Sequence, residues 1–560
     1  MRAATVNRRI RALAVLFAVL LAITLARAFW LQAVMRSEYA AMAVRQHRET
    51  VVVPAPRGTI FDRNGDPLAI GEQAMTVYAN PQQISKPRDV TLQVAKALHL
   101  QPADVYPLLK DRSKGFVYLA RKIDPLVAAR LQKLDIPGLG FYPEELRTYP
   151  QNRVAAQVLG YAGMDNHGLE GLEHSLDNAL AGRPGSQTVV KDPMGRALDV
   201  VSMHPETPGK SVRLTLDHQI QANAEAVLAD TVRRNEAKSA TAIVMDPYTG
   251  EILAMAVAPG YNANRFATTR ADRRRNRAVT DTYEPGSTFK LVTISAALED
   301  HVVTPQTTFL LPPTIQVADR VIHEAHSRGT ERLSVRQIVE YSSNIGTITV
   351  AERLGAGRLA SWINRWGFGR PTGIDFPGES SGFALPLDQW SGSTIGTVPI
   401  GHGISVTPIQ MARAYAAIAN GGRLVEPHLV ERIGGTDVER QRSRRVVSRT
   451  VANEMLSMLR GVVVEGTGTE AAIPGYTVAG KTGTAAKIDP DGHYSTSRYV
   501  ASFVGLVPAS KPRLVIMVMV DEPRASIWGG TVAAPAFKEI ATFNLQHLEI
   551  PPDALPAKQP

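Results

Sequence analysis

The first strongly patterned stretch of this 560-residue chain is an apolar run over 12–26, interrupted by Arg27 and resumed over 28–34. Counted through Arg27, whose long stem lets its charge reach an interface, the segment is long enough for one helix across a bilayer. Arg2, Arg8, Arg9 and Arg11 precede it and Trp30 stands near its far end. The positive-inside bias therefore predicts a cytoplasmic N-terminus with the remainder outside. A cleaved signal peptide is the rival, because Ala26-Arg27-Ala28 fits the small-x-small cleavage pattern. Apolar character continuing past that site favours an uncleaved anchor.

Beyond the anchor the pattern is mixed. Arg57-Gly58-Thr59-Ile60-Phe61-Asp62-Arg63-Asn64-Gly65 is a strand-like run closing in an Asn-Gly turn. Helical spacing over 92–98 and 125–134 alternates with short strands and turns such as Gly182-Arg183-Pro184-Gly185. A second domain starts near Leu214-Thr215-Leu216-Asp217, followed by a helix over 218–234. Strands over 240–245 and 251–257 are joined through Asp246-Pro247-Tyr248-Thr249-Gly250 as a hairpin. Strands over 499–507 and 514–520 form another pair, and 534–548 reads as a closing helix. Strands at both ends of a domain with helices between them predict an antiparallel sheet packed by helices, an α+β fold. The resulting division is 1–11 cytoplasmic tail, 12–34 transmembrane anchor, 35–212 mixed α/β pedestal, 213–550 main domain and 551–560 a loose proline-rich tail.

Composition changes this picture little. A charged fraction of 20% and a hydrophobic fraction of 44% are ordinary for a folded protein. Lys+Arg exceed Asp+Glu by 62 to 52, a net charge of +10, which suits a membrane surface, an acidic wall polymer or nucleic acid. Part of the excess lies in the N-terminal tail, and no basic stripe is interleaved with aromatics, so nucleic acid is disfavoured. The chain has no cysteine, which excludes disulfides, thiol catalysis and cysteine-ligated zinc.

The candidate chemistry begins at Glu284-Pro285-Gly286-Ser287-Thr288-Phe289-Lys290. Pro-Gly marks a helix start, and residues at i and i+3 share a helix face, so the Lys290 amine can reach the Ser287 hydroxyl. An adjacent neutral amine is one way to activate a serine nucleophile. Lysine normally holds its proton, so the site must depress its pKa by burial, the helix dipole or a second cation. Ser-x-x-Lys alone arises by chance about once or twice in such a chain, and a solvated helix start is the bland reading. Tyr341-Ser342-Ser343-Asn344 adds a Ser-x-Asn, equally common by chance, and an Asn in a loop is usually a turn residue. Lys481-Thr482-Gly483-Thr484, on or at the end of a strand, is expected only about once in a hundred such chains.

Ser-x-x-Lys, Ser-x-Asn and Lys-Thr-Gly in this order are the signature of penicillin-binding proteins and class A β-lactamases. The chain resembles the class B penicillin-binding proteins over nearly its whole length. The resemblance also rests on Arg57 to Gly65, Gly168-Leu169-Glu170-Gly171-Leu172-Glu173, Asp192-Pro193-Met194-Gly195, Asn276-Arg277-Ala278, Gly403-Ile404-Ser405-Val406-Thr407-Pro408 and the stretch 475–484. The Glu284-Pro285-Gly286 lead-in is most similar to the cell-division (FtsI-type) members.

What the resemblance implies is a β-lactamase/transpeptidase-like domain on a pedestal, and a serine D,D-transpeptidase that cross-links peptidoglycan stem peptides and is blocked by β-lactams. Ser287 would attack the penultimate D-alanine carbonyl while Lys290 takes its proton. Ser342 and Lys481 would pass that proton to the leaving D-alanine, with Lys481 as the second cation. Asn344 would hold Lys290 and the substrate amide. The N–H groups of Ser287 and Thr484 would form the oxyanion hole, with Thr482 and Thr484 on the terminal carboxylate and Gly483 between them. Neither metal nor organic cofactor is expected. Expected partners are a membrane-embedded FtsW-type glycan polymerase and small single-span division proteins.

Other readings compete. Gly475-Tyr476-Thr477-Val478-Ala479-Gly480-Lys481-Thr482 fits the P-loop pattern of an ATPase, but a P-loop needs a strand before the first glycine and a helix after the lysine. Gly378-Glu379-Ser380-Ser381-Gly382 fits a nucleophile elbow, yet Pro377 and Pro386 flank it and it reads as a loop. His402 would be the histidine of that scheme, with no paired acid in view. Within the resembled family, a D,D-carboxypeptidase or β-lactamase using water would carry the same three motifs, as would an elongation-type transpeptidase. A catalytically silent scaffold or β-lactam sensor is disfavoured because every catalytic side chain is present.

Overall fold

The computed structural model describes all residues except 1, 40–41, 43–47, 192–196, 441–442 and 555–560. The Asp192 to Gly195 motif lies outside the described residues. The chain forms two compact units, and the expected pedestal of residues 35–212 is divided between them.

One unit comprises Met1–Pro56 and Gly182–Pro208. Its helix Arg2–Phe29 runs on as a π-helical turn, Trp30–Val34. Val6–Val34 is long and apolar enough to cross a membrane, with a mean hydropathy of 2.4 and nothing in that window buried, which fits a membrane anchor. The same unit holds a three-stranded antiparallel sheet in which Gly185–Lys191 lies between Arg48–Val53 and Ala197–His204.

The second unit comprises Arg57–Ala181 and Gly209–Pro560. Strand Pro67–Ala79 pairs with Ile60–Phe61, Val117–Ile123 and Leu139–Thr148. Ile60–Phe61 runs parallel to Val212–Leu214, which pairs in turn with Val430–Ile433, so one sheet joins early and late parts of the chain. The Arg57 and Glu173 motifs meet as a buried ion pair at 2.7 Å, with Asp177 2.6 Å from Arg57 and Arg147 2.6 Å from Glu173. Buried charges persist only when paired in this way. These residues are adhesive rather than chemical.

The main sheet contains β1 (Ser239–Met245), β2 (Ile252–Ala258), β3 (Ala479–Ile488), β4 (Tyr494–Val507) and β5 (Leu514–Asp521), antiparallel throughout, in the order β2-β1-β5-β4-β3. Strands buried on both faces read as continuous apolar runs, and β1, β2 and β5 are nearly all buried. One face carries α1 (His218–Arg234), through Ile220, Ala224 and Leu228. On the other lies a helical layer including α2 (Lys290–Glu299), whose residues 290–298 are all buried, α3 (Val335–Glu340), α4 (Asn344–Leu354) and α5 (Pro408–Ala419). The last helix, α6 (Gly529–His547), covers the α1 face through Phe537, Ile540 and Ala541.

Helix α6 starts five residues earlier than 534–548 predicts. Gly529 lies so close to the sheet that a Cβ there would fall 2.3 Å from Ser502 O and 2.4 Å from Gly483 O, and the helix runs on through Pro535 despite the i−4 hydrogen bond that residue cannot donate. The tail departs from its expected looseness where it can be described: Asp553 accepts from Thr477 N at 2.6 Å and Ser510 Oγ at 2.5 Å. Residues 555–560 lie outside the described residues.

Candidate active site

Ser287 sits in a 3-10 turn, Gly286–Phe289, and α2 begins only at Lys290. Gly286 has φ +53° and donates its N–H to Gly401 O at 3.1 Å. Gly401 has φ +86°, and a Cβ on it would lie 2.1 Å from Gly286 O. The nucleophile turn is thus braced backbone against backbone, a contact open only to residues without Cβ. Tyr415 of α5 adds a hydrogen bond from its hydroxyl to Thr288 O at 2.9 Å.

Lys290 is 1% exposed. Its ammonium donates to Ser342 O at 2.6 Å, Asn344 Oδ1 at 2.8 Å and Ser342 Oγ at 3.3 Å. Among the described residues these, rather than Ser287, receive its hydrogen bonds. Burial lowers its pKa to about 7, with Arg328 adding to the shift and Glu324 opposing it. Ser342 presents its hydroxyl and carbonyl from a left-handed backbone, φ +59°, a conformation concentrated at functional sites.

Asn344 opens α4 and is held at both ends. Its side-chain N–H donates to His323 O at 3.2 Å, which turns Oδ1 toward Lys290. Glu324 accepts from Asn344 N at 2.7 Å, Ile345 N at 3.3 Å and Ser343 Oγ at 2.5 Å, a carboxylate at the positive end of a helix. Arg328 donates to Tyr341 O at 2.9 Å and lies 5.4 Å from the Tyr341 ring. Sequence reasoning missed Glu324 and Arg328. Both stand in an unpatterned loop, and nothing local marks either as a partner of residues downstream.

Lys481 lies on β3 opposite Val504, 1% exposed, with Nζ 3.3 Å from both Thr482 O and Thr482 Oγ1. Burial and repulsion from Lys290 push its pKa well below the usual lysine value. The repulsion between the two lysines is mutual, and Arg328 is a further cation acting on Lys290. Thr482 Oγ1 is 2.7 Å from Thr467 Oγ1, and Thr484 Oγ1 accepts from Gly529 N at 3.1 Å. A Cβ on Gly483 would meet Ser502 Oγ at 2.4 Å and Pro285 O at 2.9 Å, so this glycine lets β3 run close past the nucleophile turn. Because the strand passes straight through Lys481, the P-loop geometry is absent. The Gly378 to Gly382 stretch is a loop with neither strand nor helix.

Ser287, Ser342, Asn344, Thr482 and Thr484 line one cleft of ≈610 Å³, with Lys290 and Lys481 buried behind it. His326 and Trp528 also line it, their rings 4.6 Å apart. His402, another wall residue, does have a paired acid: its Nδ1 is 2.7 Å from Glu284 Oε2. The other Glu284 oxygen accepts from Gly403 N at 2.8 Å and the Tyr494 hydroxyl at 3.1 Å. Away from the cleft, Asp62, Asp66 and His218 gather three ligand-type atoms within 4.8 Å of one another. The Asp62 oxygens are already taken by Asn64 N, Asp66 N and His218 Nδ1, so this cluster ties a turn to α1.

Residues 240–542 match the penicillin-binding protein transpeptidase domain, and residues 52–214 match the penicillin-binding protein dimerisation domain. The chain is 34% identical to a penicillin-binding protein PbpB of Mycolicibacterium smegmatis, over 95% of this chain and 89% of the relative. It is 33% identical to the peptidoglycan D,D-transpeptidase FtsI of Escherichia coli, over 96% and 91%. Among solved structures it is similar to penicillin-binding protein 3 from Mycobacterium tuberculosis complexed with aztreonam. That similarity has a TM-score of 0.72 and 32% identity, covering 91% of this chain and 100% of the other.

Proposed function

The chain belongs to the penicillin-binding protein transpeptidase family, and from that premise we propose that it cross-links peptidoglycan through an acyl-enzyme on Ser287. One observation carries the reading: a buried Lys290, its pKa brought to about 7, held by Ser342 and Asn344 behind the cleft that Ser287 lines. A lysine tuned to neutrality can accept a proton at working pH, which an ordinary surface lysine cannot.

In this reading Ser287 Oγ attacks the penultimate D-alanine carbonyl of a donor stem peptide, and its proton passes to Lys290. Ser342 and Lys481 conduct that proton to the departing D-alanine nitrogen. Asn344 orients Lys290 and the substrate amide. The Ser287 and Thr484 N–H groups stabilise the tetrahedral oxyanion, and Thr482 and Thr484, flanking Gly483, bind the terminal carboxylate. A neighbouring stem peptide's amine then displaces Ser287. A β-lactam, entering as the donor would, leaves Ser287 acylated.

The similarity to FtsI and PbpB supports a septal role in cell division. The apolar N-terminal helix, preceded by arginines, supports a single-pass protein with a cytoplasmic N-terminus and its catalytic domain outside. Residues 1–11 are then the cytoplasmic tail, 12–34 the anchor, 35–212 the pedestal and 213–550 the transpeptidase domain. An FtsW-type glycan polymerase and small single-span division proteins are the proposed partners of the anchor and pedestal.

The test is incubation of the detergent-solubilised chain with a labelled penicillin, followed by mass spectrometry of the adduct. A long-lived adduct on Ser287, absent from Ser287→Ala, is the expected result. Rapid turnover of the drug would make the protein a hydrolase. An adduct unaffected by Ser287→Ala would end the mechanism.

A further inference from the structure

We propose that His402 is the base that removes the surplus proton from the acceptor amine when that amine resolves the acyl-enzyme. The inference deepens the transpeptidase reading and rests on it. An acceptor amine reaches the site as an ammonium, without the lone pair it needs for attack. As its nitrogen bonds to the acyl carbon and the bond from that carbon to Ser287 Oγ breaks, the nitrogen loses two protons. One returns to Ser287 Oγ through Ser342 and Lys290, reversing the path of acylation. The other has no destination in that network.

His402 has the geometry of a general base. The carboxylate of Glu284 engages Nδ1 at 2.7 Å, and no hydrogen bond to Nε2 is found among the described residues. A carboxylate in that position fixes the ring and stabilises the imidazolium that forms. The ring lines the main cleft with Ser287 and also a side groove of ≈420 Å³, and the two meet at Asn344, Ile400, His402 and Ala486. An acceptor lying in the side groove would bring its amine past His402 on the way to the acyl carbon. Glu324, another carboxylate lining the main cleft, is occupied at the start of α4.

The groups facing the imidazole are known. Glu284 and Tyr494 touch it, the latter as an edge-on ring at 5.4 Å. Arg320 and His323 stand in the side groove, and Glu324, His326, Arg328 and Glu470 in the main cleft.

The experiment uses the full-length enzyme in detergent, a thioester donor that acylates Ser287 with release of a thiol, and D-alanine as the acceptor probe. Thiol release reports acylation, and mass spectrometry separates aminolysis from hydrolysis across pH. For His402→Gln, and for His402→Asn whose amide can keep the bond to Glu284, the ratio of aminolysis to acylation is expected to fall about 100-fold. Without the base, aminolysis should follow the free-amine fraction of D-alanine and so depend more steeply on pH than in the wild type, and added imidazole should restore part of the rate. An unchanged ratio, acylation and aminolysis falling in parallel, or a pH profile of aminolysis identical to the wild type's would overturn the role of His402 while leaving the transpeptidase reading intact. Wild-type enzyme giving hydrolysis alone would overturn both.

Discussion

Glu324 accepts the main-chain N–H of Asn344 at 2.7 Å, and Asn344 in turn accepts from the Lys290 ammonium at 2.8 Å. The carboxylate thus positions, through one intermediary, the amine proposed as the base for Ser287, without touching either group. Glu324→Ala leaves the first N–H groups of α4 without this partner and frees Asn344 to turn. Losing a hydrogen bond to a charged group is worth about 1.5–3 kcal/mol. The second-order rate of penicillin acylation is therefore expected to fall about 10- to 100-fold, with Glu324→Gln recovering part of it.

The Lys290 amine, with its pKa lowered to about 7, sets the pH dependence of acylation. Only the neutral amine can accept the Ser287 proton, so the rate should rise about tenfold per pH unit below that value and level off above it. The sign for stability follows from the same shift. Between about 7 and the free-lysine value the unfolded chain binds the proton and the folded one does not, so this group destabilises the fold progressively as pH falls through that window. Stopped-flow acylation by a chromogenic cephalosporin across pH measures the limb. A flat profile would count against Lys290 as base.

Gly401→Ala would force a Cβ to 2.1 Å from Gly286 O at a residue with φ +86°. Neither backbone can yield without moving Ser287. A destabilisation of about 1–3 kcal/mol is expected, seen as a lower melting temperature and slower acylation together. Unaltered acylation would show that the turn is positioned from elsewhere.

Glu225, half-buried on α1, accepts from Ala155 N at 2.8 Å and Gln221 Nε2 at 2.7 Å, and the desolvation of its carboxyl raises its pKa to about 7. A carboxyl raised in the folded state contributes stability that is full below its unfolded value near 4.5 and is lost as pH rises through about 7. Glu225→Gln keeps an acceptor for Ala155 and carries no charge. Its melting temperature should match the wild type near pH 5 and exceed it at pH 8, and a parallel pH dependence in both proteins would refute the assignment.

The three motifs were legible because each is short and its spacing is covalent. Ser287 with Lys290 and Ser342 with Asn344 each span a turn and the helix start that follows it, and Lys481 with Thr482 to Thr484 lies on one strand, so only the meeting of the three segments awaited the fold. Residues that act across the chain were not legible. Glu284 and His402 are 118 positions apart, and a glycine-flanked histidine announces no acid until the 401–403 loop closes on the nucleophile turn. Glu324 and Arg328 belong to a loop whose polar residues look like ordinary surface. At α6 and at Asp553 the local pattern misled for one reason: proline suggests a break or a loose end, and only tertiary packing shows that this backbone is held.

The position of β3 at the margin of its sheet has a further consequence. Among the described residues it has a strand neighbour on one side only, β4, so where Thr484 and Ala486 line the cleft its other amides and carbonyls are left for an extended chain to pair with. In most proteins such a row is a hazard, because it templates association with any passing strand. Here it borders the walls of the cleft, where an extended chain would complete the sheet as an added strand. The geometry that invites aggregation elsewhere becomes a filter for backbone shape, applied before any side chain is read.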